Sequence, residues 1–372
     1  MDSTGSELSV YYDDVCLEYT APPGAFELPA KDHLAIDEPH PERPERLVNI
    51  RHIVESVLGE RSHWRDIEPA KREQIQLVHP EEYVDDVEAG SESPPMYLTP
   101  TTAVVEGTFE AARYAAGAAI QAARRALDTP MTEVTYALTR PGGHHAQPAQ
   151  ADGFCFFNNA AIATEHVLQR RDVDKVAIVD WDVHPGNGTT EVFYDRDDVL
   201  VVSLHNDFGS WGEYHPQTNR LDERGAGAGE GYTVNVPLPP GTGDEGYAYA
   251  FDAVVEPVVG AFDPDLVVVT AGQDPGVVDP SAPNLVTKAG FETMAGRVRR
   301  LAEEHADGSL ALLQAGGYQI SHLAYATLGV LEGALDCETG VTDPFPLLPE
   351  LNGLCREWVD DAAAAYDDYW PV

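Results

Sequence analysis

Positions 180–184 carry Asp-Trp-Asp-Val-His, a run of possible metal ligands directly after the apolar stretch 176–179. The apolar stretch is typical of a buried strand, and the Pro-Gly pair after the run indicates a turn. Because alternate side chains of an extended segment point the same way, Asp180, Asp182 and His184 are predicted to share one side. Two carboxylates and an imidazole suit a divalent metal. A strand end that faces water would show the same residues, so this spacing alone leaves both interpretations open.

The elements that would position this run alternate between strands and helices. Strands are predicted at 8–12, 134–138, 176–179, 199–204, 233–236, 266–270 and 310–313, and helices at 47–54, 81–87, 103–127, 158–169, 246–259, 289–304, 320–335 and 354–365. Apolar strands separated by helices favour a parallel sheet that is covered on both faces. Such sheets bind ligands beyond the carboxyl ends of their strands, so the chemistry is expected at that edge.

Other predicted strand ends also carry reactive polar side chains. The residues concerned are His144, His145, Asp274 and Tyr318. Asp182, His184 and Asp274 would leave the fourth position of a zinc ion open for water or substrate, as catalytic zinc sites do. The two histidines suit acid and base work, and the Tyr318 phenol suits donation to a developing oxyanion. Each also has a structural interpretation, such as a helix cap for Asp274 or a packed hydroxyl for Tyr318.

These motifs together resemble the histone deacetylase and acetylpolyamine amidohydrolase family, closer to its class II-like branch. The matching segments are 40–46, 140–146, 153–159, 180–189, 203–205, 272–274 with 279–280, and 316–318. They extend over nearly the whole chain. The resemblance implies an α/β fold with an open parallel eight-stranded sheet and helices on both faces, of the arginase/deacetylase type. It also implies a single domain over 1–372, with a core at about 8–340 and a C-terminal extension, 341–372, packed on it.

The resemblance also implies roles for individual residues. The zinc ligands are matched by Asp182, His184 and Asp274. The catalytic positions are matched by His144, His145, Asp180, Asn187 and Tyr318. The surroundings of a structural potassium ion are matched by Asp180, Asp182, His184, Ser203 and Leu204, mostly through backbone carbonyls. The substrate tunnel is assigned to Gly153, Phe154, His215, Gly316 and Gly317, and Arg46 matches an arginine near the acetate-release cavity.

The partners of the two histidines differ in charge. Asp180 takes the position beside His144, and Asn187 takes the position beside His145. A carboxylate favours the protonated form of a neighbouring imidazole, whereas a neutral amide does not. We therefore predict that His145 is the general base.

The implied activity is zinc-dependent hydrolysis of N-acetyl-lysine in proteins. Three departures from the family pattern keep a second substrate class open. His215 replaces a tunnel aromatic, Ser281 replaces a larger apolar residue, and 97–99 lacks the carboxylate that grips a peptide backbone. An acetylpolyamine or another small N-acyl amine fits as well.

Two other functional classes compete with hydrolysis of an amide. A catalytically silent acyl-lysine binder is disfavoured because the predicted ligands, both histidines and Tyr318 are all present. A binuclear manganese ureohydrolase would need further carboxylates near the first metal. The sequence Pro-Gly-Asn at 185–187 offers none.

The composition is strongly acidic, with 23 basic and 63 acidic residues and a formal net charge of −40. The acids are spread along the chain, which favours a halophile's cytoplasm over an acidic tail; a surface that recruits basic partners is the alternative. No basic patch supports nucleic-acid binding. No apolar run is long enough for a membrane span, and no signal peptide is recognised. The four cysteines form no CxxC pair. The sequence does not determine the oligomeric state.

Overall fold

The computed structural model of the chain describes residues 6–93, 95–130, 132–206, 215–345, 348–350 and 352–372. Its central element is one sheet in which eight strands run parallel. The strands are β1 (Glu7–Tyr11), β2 (Ser62–Arg65), β3 (Glu133–Ala137), β4 (Val176–Asp180), β5 (Val199–Asn206), β6 (Thr233–Leu238), β7 (Leu266–Ala271) and β8 (Leu310–Gln314). The predicted open, parallel, eight-stranded α/β fold is confirmed.

The order of the strands explains where a ligand site can form. Across the sheet they lie as β6-β5-β4-β7-β8-β3-β1-β2. The chain runs outward from β4 to β6 and then returns to β7 on the other side of β4. Such a reversal leaves a crevice at the carboxyl ends of the two strands on which it turns. The predicted metal ligands follow β4 and β7, so the strand order brings them to this crevice.

Helices cover both faces of the sheet. They are α1 (Glu45–Val57), α2 (Arg72–Ile75), α3 (Glu81–Ser91), α4 (Thr108–Asp128), α5 (Asn159–Val167), α6 (Asn187–Val192), α7 (Asp244–Ala250), α8 (Glu256–Phe262), α9 (Lys288–His305), α10 (Ile320–Leu335) and α11 (Asn352–Tyr366). Ala177 and Val179 of β4 pack in one core with α1, α9 and α10, whereas Val176 and Ile178 pack in another with α4 and α5. This alternation follows from the two-residue period of a strand.

The helix predicted at 103–127 begins later than expected. Ala103–Val104 instead pairs with Met96–Tyr97 as a two-residue hairpin, and α4 starts at Thr108. Gly107 adopts a positive φ of 84° just before the helix, and the Val105 N–H donates to the Thr108 hydroxyl at 3.0 Å. A residue with a positive φ interrupts a regular helix, so α4 does not extend back beyond Gly107. The alanine-rich composition therefore predicted the helix, but the glycine set its start.

The helix predicted at 246–259 is interrupted by a wide turn. Helix α7 passes into a π-helical turn at Phe251–Val255, where the Glu256 N–H donates to the Phe251 carbonyl, and α8 continues from it. Pro257 follows within the first turn of α8 and has no N–H to donate. The missing donor allows the chain to widen at this point.

Two further features of the fold are strand β2 and helix α11. Strand β2 is the edge strand beside β1 and was not predicted, because its sequence Ser-His-Trp-Arg has no apolar run. Helix α11 buries Cys355, Val359 and Tyr366 in the main core, and the Asn235 N–H donates to the Tyr366 hydroxyl at 2.7 Å. The division at 341 that the sequence suggests stays a prediction.

The segment 207–231 is rich in glycine and charge, which predicts a surface loop at the rim. It is described only from residue 215, since 207–214 lie outside the described residues. In the described part of the chain, no helix combines the length and apolar character needed to cross a bilayer.

A buried ion cluster ties the N-terminal segment to the end of the sheet. The Glu42 carboxylate accepts from Nη1 of Arg46 at 2.7 Å and from Nε of Arg140 at 2.8 Å. Burial alone would raise the pKa of Glu42, but the two guanidinium groups outweigh burial and hold it at about 2. Both arginine side chains are also buried. The carboxylate is therefore the counter-charge for two buried cations.

We expect the Glu42→Ala variant to lose about 3–5 kcal/mol of unfolding free energy, because it leaves two buried guanidinium groups without their carboxylate. Urea denaturation at constant salt measures the change. Glu60→Ala, which removes an exposed carboxylate, serves as the control and should stay within about 0.5 kcal/mol of wild type. Equal stability of the two variants would contradict the assignment.

Candidate active site

Three metal-ligand side chains converge at the carboxyl ends of β4 and β7. Asp182, His184 and Asp274 each offer one ligand atom, and these atoms lie within 4.8 Å of one another. Nδ1 of His184 lies 3.1 Å from Oδ1 of Asp182 and 3.1 Å from Oδ2 of Asp274. Both aspartates are buried, and the histidine is half-buried. Oxygen and nitrogen donors that point at one position suit a divalent ion such as zinc.

Backbone N–H groups and two glycines hold the carboxylates in this arrangement. The Val183 N–H donates to Oδ1 of Asp274 at 2.9 Å, and the Gly316 N–H donates to Oδ2 of Asp182 at 2.8 Å. A Cβ on Gly272 would lie 2.2 Å from Oδ2 of Asp182, and one on Gly316 would lie 2.1 Å from Oδ2 of Asp274. Any other residue at these two positions would displace a carboxylate.

The electrostatics of this group favour a bound cation. Burial and the neighbouring Asp182 carboxylate raise the pKa of Asp274 to about 7. Burial would lower the pKa of His184, but the two carboxylates outweigh it and raise that pKa well above its usual value. Two carboxylates this close resist ionising together unless positive charge lies between them. The donor set therefore fits a divalent metal, which would satisfy both carboxylates at once.

His144 and Asp180 form a buried ion pair beside the metal-ligand group. Nδ1 of His144 donates to Oδ2 of Asp180 at 2.9 Å, and Oδ1 of Asp180 accepts from the Asp182 N–H at 3.0 Å. Burial would lower the pKa of His144, but the carboxylates of Asp180 and Asp182 outweigh it and raise the pKa to about 9. His144 therefore carries a proton at neutral pH.

His145 has a neutral partner and the opposite pKa shift. Its Nδ1 lies 2.7 Å from Oδ1 of Asn187 and donates to it, which leaves Nε2 as an acceptor. Burial lowers the pKa of His145 well below its usual value, and the charges of His144 and His184 lower it further. The rings of His144 and His145 lie 3.9 Å apart. The pair thus combines one protonated and one neutral imidazole.

Tyr318 is held by contacts on three sides. Its N–H donates to Oδ2 of Asp279 at 2.6 Å, and the Arg46 guanidinium lies 4.7 Å from the ring centroid. The Phe154 ring packs edge-on against it, with 5.7 Å between centroids. Burial raises the pKa of the Tyr318 phenol well above its usual value. The hydroxyl therefore remains a hydrogen-bond donor at neutral pH.

These residues open onto one cavity of about 340 Å³. Its lining residues include both aromatic and polar groups: Phe26, Glu27, His145, Gly153, Phe154, His184, His215, Pro280, Ser281 and Tyr318. The imidazoles of His145 and His184 and the Tyr318 phenol thus share one space with the apolar walls. A substrate in this cavity would reach the metal-ligand group directly.

The tunnel residues predicted from sequence occupy this wall. Gly153 has a φ of 49°, and a Cβ there would lie 2.1 Å from Cδ2 of His145, so glycine lets the chain pass against the imidazole. Phe154 follows with a φ of 65° and donates its N–H to the Thr102 hydroxyl at 3.1 Å. His215 lies on the same wall, with Nδ1 3.1 Å from Oδ1 of the buried Asp152.

The remaining predicted residues lie behind the cavity. Gly317 accepts at its carbonyl from Nε of Arg46 at 2.6 Å, so the arginine braces the loop that carries Gly316 and Tyr318. Ser203 pairs with Asp180 across β5 and β4, and its hydroxyl lies 2.9 Å from Nδ1 of His205. Leu204 follows on β5 and is buried. A potassium ion near these backbone carbonyls stays a prediction.

Phe26 and Glu27 are wall residues that the sequence did not indicate. They connect Gly24–Ala25 to Leu28–Pro29, two short strands that pair as a hairpin. The hairpin lies far from the recognised motifs along the chain, and its turn contains neither glycine nor asparagine. Only its position against the cavity shows that it belongs to the site.

Comparison with known proteins agrees with this geometry. A family model described as the histone deacetylase domain matches residues 40–334. Histone deacetylase 8 of Arabidopsis thaliana is 40% identical over 370 residues, which cover 98% of each chain. A probable deacetylase of Archaeoglobus fulgidus is 38% identical over 344 residues, 89% of this chain and 94% of that protein. A histone deacetylase-like amidohydrolase of Pseudomonas aeruginosa is 37% identical over 345 residues, 92% and 90% of the two chains.

The fold comparison gives the same result. The crystal structure of the HDA15 HD domain superposes with a TM-score of 0.85 at 33% identity, and covers 98% of this chain and 96% of that one. The match to the family model extends over most of the chain and includes β4, β7 and the residues that follow them. This protein belongs to the histone deacetylase family of hydrolases.

Proposed function

We propose that the chain is a zinc-dependent deacetylase that hydrolyses the amide bond of N-acetyl-lysine. The proposal is carried by three converging metal-ligand side chains beside two imidazoles with opposite pKa shifts, and by a cavity that His145, His184 and Tyr318 line. Deacetylation of acetylpolyamines or other small N-acyl amines is the second candidate. It is favoured by Ser281 and Glu27 on the wall, which make the cavity more polar than an acyl-lysine stem requires.

Asp182, His184 and Asp274 would hold the zinc ion, which when bound supplies a Lewis acid that polarises the amide carbonyl and makes water more acidic. A substrate in the cavity would bring its acyl group close to these three side chains. Phe154 and Tyr318, which line the cavity, would contact the aliphatic part of the substrate.

The two histidines divide the proton transfers. Nε2 of His145, an acceptor because Nδ1 donates to Asn187, takes a proton from the water that attacks the carbonyl carbon. His144 is protonated beside Asp180 and gives its proton to the amine nitrogen as the C–N bond breaks. The Tyr318 hydroxyl donates to the carbonyl oxygen while negative charge develops there. The products are acetate and a free amine.

The proposal has three further parts, which concern the cell compartment, a second ion and the partners. The net charge of −40, spread over the chain, suits a cytoplasm with high salt, where short Debye lengths screen repulsion between acidic side chains. The resemblance supports a structural potassium ion near Asp180, Ser203 and Leu204. Acetylated proteins or small acetylated amines are the proposed partners.

A substrate panel tests the proposed function. We expect the protein in high salt to release acetate from acetyl-lysine peptides or acetylated small amines. A chelator should abolish this activity and Zn²⁺ should restore it, because the ligand set fits a removable divalent ion. Tyr318→Phe should lower kcat by about 10²–10³-fold, whereas the matched Tyr325→Phe should not. Acetate release that persists in chelator would overturn the metal dependence.

The division of labour between the histidines predicts a pH effect for Asn187→Asp. A carboxylate beside His145 raises its pKa, so the base keeps its proton to higher pH. The acidic limb of the kcat/KM profile should therefore move to higher pH.

Asp180→Asn is the complementary variant for this experiment. It removes the carboxylate that raises the pKa of His144, so the alkaline limb should move to lower pH. An acidic limb that stays in place in Asn187→Asp would argue against His145 as the base.

The close approach at Gly316 predicts that Gly316→Ala weakens metal binding. The added Cβ would lie 2.1 Å from Oδ2 of Asp274 and 2.6 Å from Oδ2 of Asp182, so at least one carboxylate must move. We expect a loss of about tenfold or more in Zn²⁺ affinity, measured by competition with a chromogenic chelator. Gly353→Ala, where the Cβ meets nothing within 4 Å, is the control. Unchanged affinity in Gly316→Ala would refute the role of this glycine.

A further inference from the structure

The loop that carries Tyr318 is held through its backbone N–H groups. It connects β8 to α10 and includes Gly316 and Gly317, of which Gly317 has a φ of 109°. The Gly316 N–H donates to the Asp182 carboxylate at 2.8 Å. The N–H groups of Tyr318 and Gln319 donate to a different carboxylate. Because two consecutive glycines leave a backbone free to adopt many conformations, the loop depends on these bonds for its shape.

Asp279 supplies the second carboxylate, and both of its oxygens accept hydrogen bonds. Oδ2 accepts from the N–H groups of Tyr318 at 2.6 Å and of Gln319 at 3.1 Å. Oδ1 accepts from the Ser281 N–H at 3.0 Å and from the Ser281 hydroxyl at 2.6 Å. The Asp279 N–H donates to the Gly276 carbonyl at 2.9 Å, and the residue is buried. One buried carboxylate therefore joins the Tyr318 loop to the segment that follows β7.

Asp279 lies behind the cavity wall. The described residues that line the cavity include its neighbours Pro280 and Ser281 as well as Tyr318, but Asp279 is not among them. The metal-ligand group consists of three other side chains. Hydrogen bonds to a carboxylate are about twice as strong as bonds between neutral groups, so they can hold a loop in place. Any effect of Asp279 on the chemistry must therefore pass through the residues that it holds.

A second charged group holds the same loop. Nε of Arg46 donates to the Gly317 carbonyl at 2.6 Å, and the Arg46 guanidinium lies 4.7 Å from the centroid of the Tyr318 ring. Asp279 thus accepts from N–H groups of the loop, while Arg46 donates to one of its carbonyls. A donor to an oxyanion is effective when it is in place before the reaction, and an error of about 1 Å can cost about 10²-fold in rate. The two contacts suit a phenol that must be held in one position.

We propose that Asp279 is a positioning residue for the hydrolysis, which fixes the Tyr318 hydroxyl where negative charge develops on the amide carbonyl oxygen. The inference rests on the proposed deacetylase function and deepens it. Asp279 acts through the loop backbone, and it neither binds the metal nor transfers a proton. Loss of its carboxylate should therefore lower kcat, with much smaller effects on KM and on metal affinity.

A double-mutant cycle tests whether Asp279 acts through the Tyr318 hydroxyl, with kcat measured on the acetylated substrate that wild type hydrolyses best. We expect Asp279→Ala to lower kcat by about 10–100-fold, the scale of a displacement of about 1 Å. In the Tyr318→Phe background the same substitution should lower kcat by less than about threefold, because the hydroxyl that Asp279 positions is absent. Asp279→Asn keeps one acceptor oxygen and should show a smaller loss than Asp279→Ala.

Asp244→Asn is the matched control for folding. The Asp244 carboxylate accepts from the N–H and the hydroxyl of Thr287 at 2.7 and 2.6 Å, as that of Asp279 does from Ser281. Asp244 is not among the described residues that line the cavity. We expect both Asp→Asn variants to unfold at a lower Tm than wild type, with kcat lowered only in Asp279→Asn.

Metal affinity separates the positioning of the phenol from support of the metal ligands. Competition with a chromogenic chelator should give a Zn²⁺ affinity for Asp279→Asn within about threefold of wild type. Removal of a group that supports a metal ligand would instead cost about 10–100-fold. A fall in Zn²⁺ affinity that matches the fall in kcat would assign Asp279 to the metal site and overturn the proposal.

The other outcomes that overturn the inference are distinct from the failure of the deacetylase function. Equal factors of loss for Asp279→Ala in the wild-type and Tyr318→Phe backgrounds would show that the carboxylate acts on another group. Wild-type kcat in both Asp279→Ala and Asp279→Asn would also refute the proposal. Either result leaves deacetylation standing. Absence of acetate release by wild type from acetyl-lysine peptides and small acetylated amines, with Zn²⁺ present, overturns the deacetylase function and this inference with it.

Discussion

The mutual repulsion of two buried carboxylates is the constraint on which the rest of the site depends. Asp182 and Asp274 come from different strands, yet their oxygens both lie 3.1 Å from one imidazole nitrogen of His184. Burial raises the pKa of Asp274, and the Asp182 carboxylate raises it further. The sheet imposes this repulsion, because β4 and β7 are neighbours and parallel strands end at the same edge. A divalent cation removes the repulsion, so a bound cation would stabilise the arrangement that the fold imposes.

The close approach of the two carboxylates explains the presence of Gly272 and Gly316, and a pair of opposite charges lies behind them. Gly272 and Gly316 are needed because no Cβ fits beside the converging carboxylates. Beyond them, Arg46 braces the Gly316–Tyr318 loop from behind while Glu42 neutralises it. Behind the carboxylates of Asp182 and Asp274 there is therefore a buried cation, Arg46, together with its counter-ion, Glu42. This layering holds the Tyr318 phenol near the metal-ligand group.

The two histidines show how small differences in partner separate two similar groups. His144 and His145 are adjacent in sequence, and their rings lie 3.9 Å apart. The carboxylates of Asp180 and Asp182 outweigh burial and raise the pKa of His144, whereas burial and the charges of His144 and His184 lower the pKa of His145. Such a pair can hold an acid and a base at the same pH. Burial strengthens the contrast, since charge effects are larger away from water.

The sequence by itself determined the alternation of strands and helices, the parallel sheet and the family motifs at the strand ends, because these depend on local periodicity and on residue types. Only the tertiary structure decided which distant segments meet. Edge strand β2 has no apolar run, Gly107 and Pro257 reset two helices, and the Phe26–Glu27 turn carries no local signal. Gly107 and Pro257 act through the local backbone. The pairing of β2 with β1 and the position of the Phe26–Glu27 turn against the cavity depend on contacts between residues far apart along the chain, and a pattern read over short windows contains no information about such contacts.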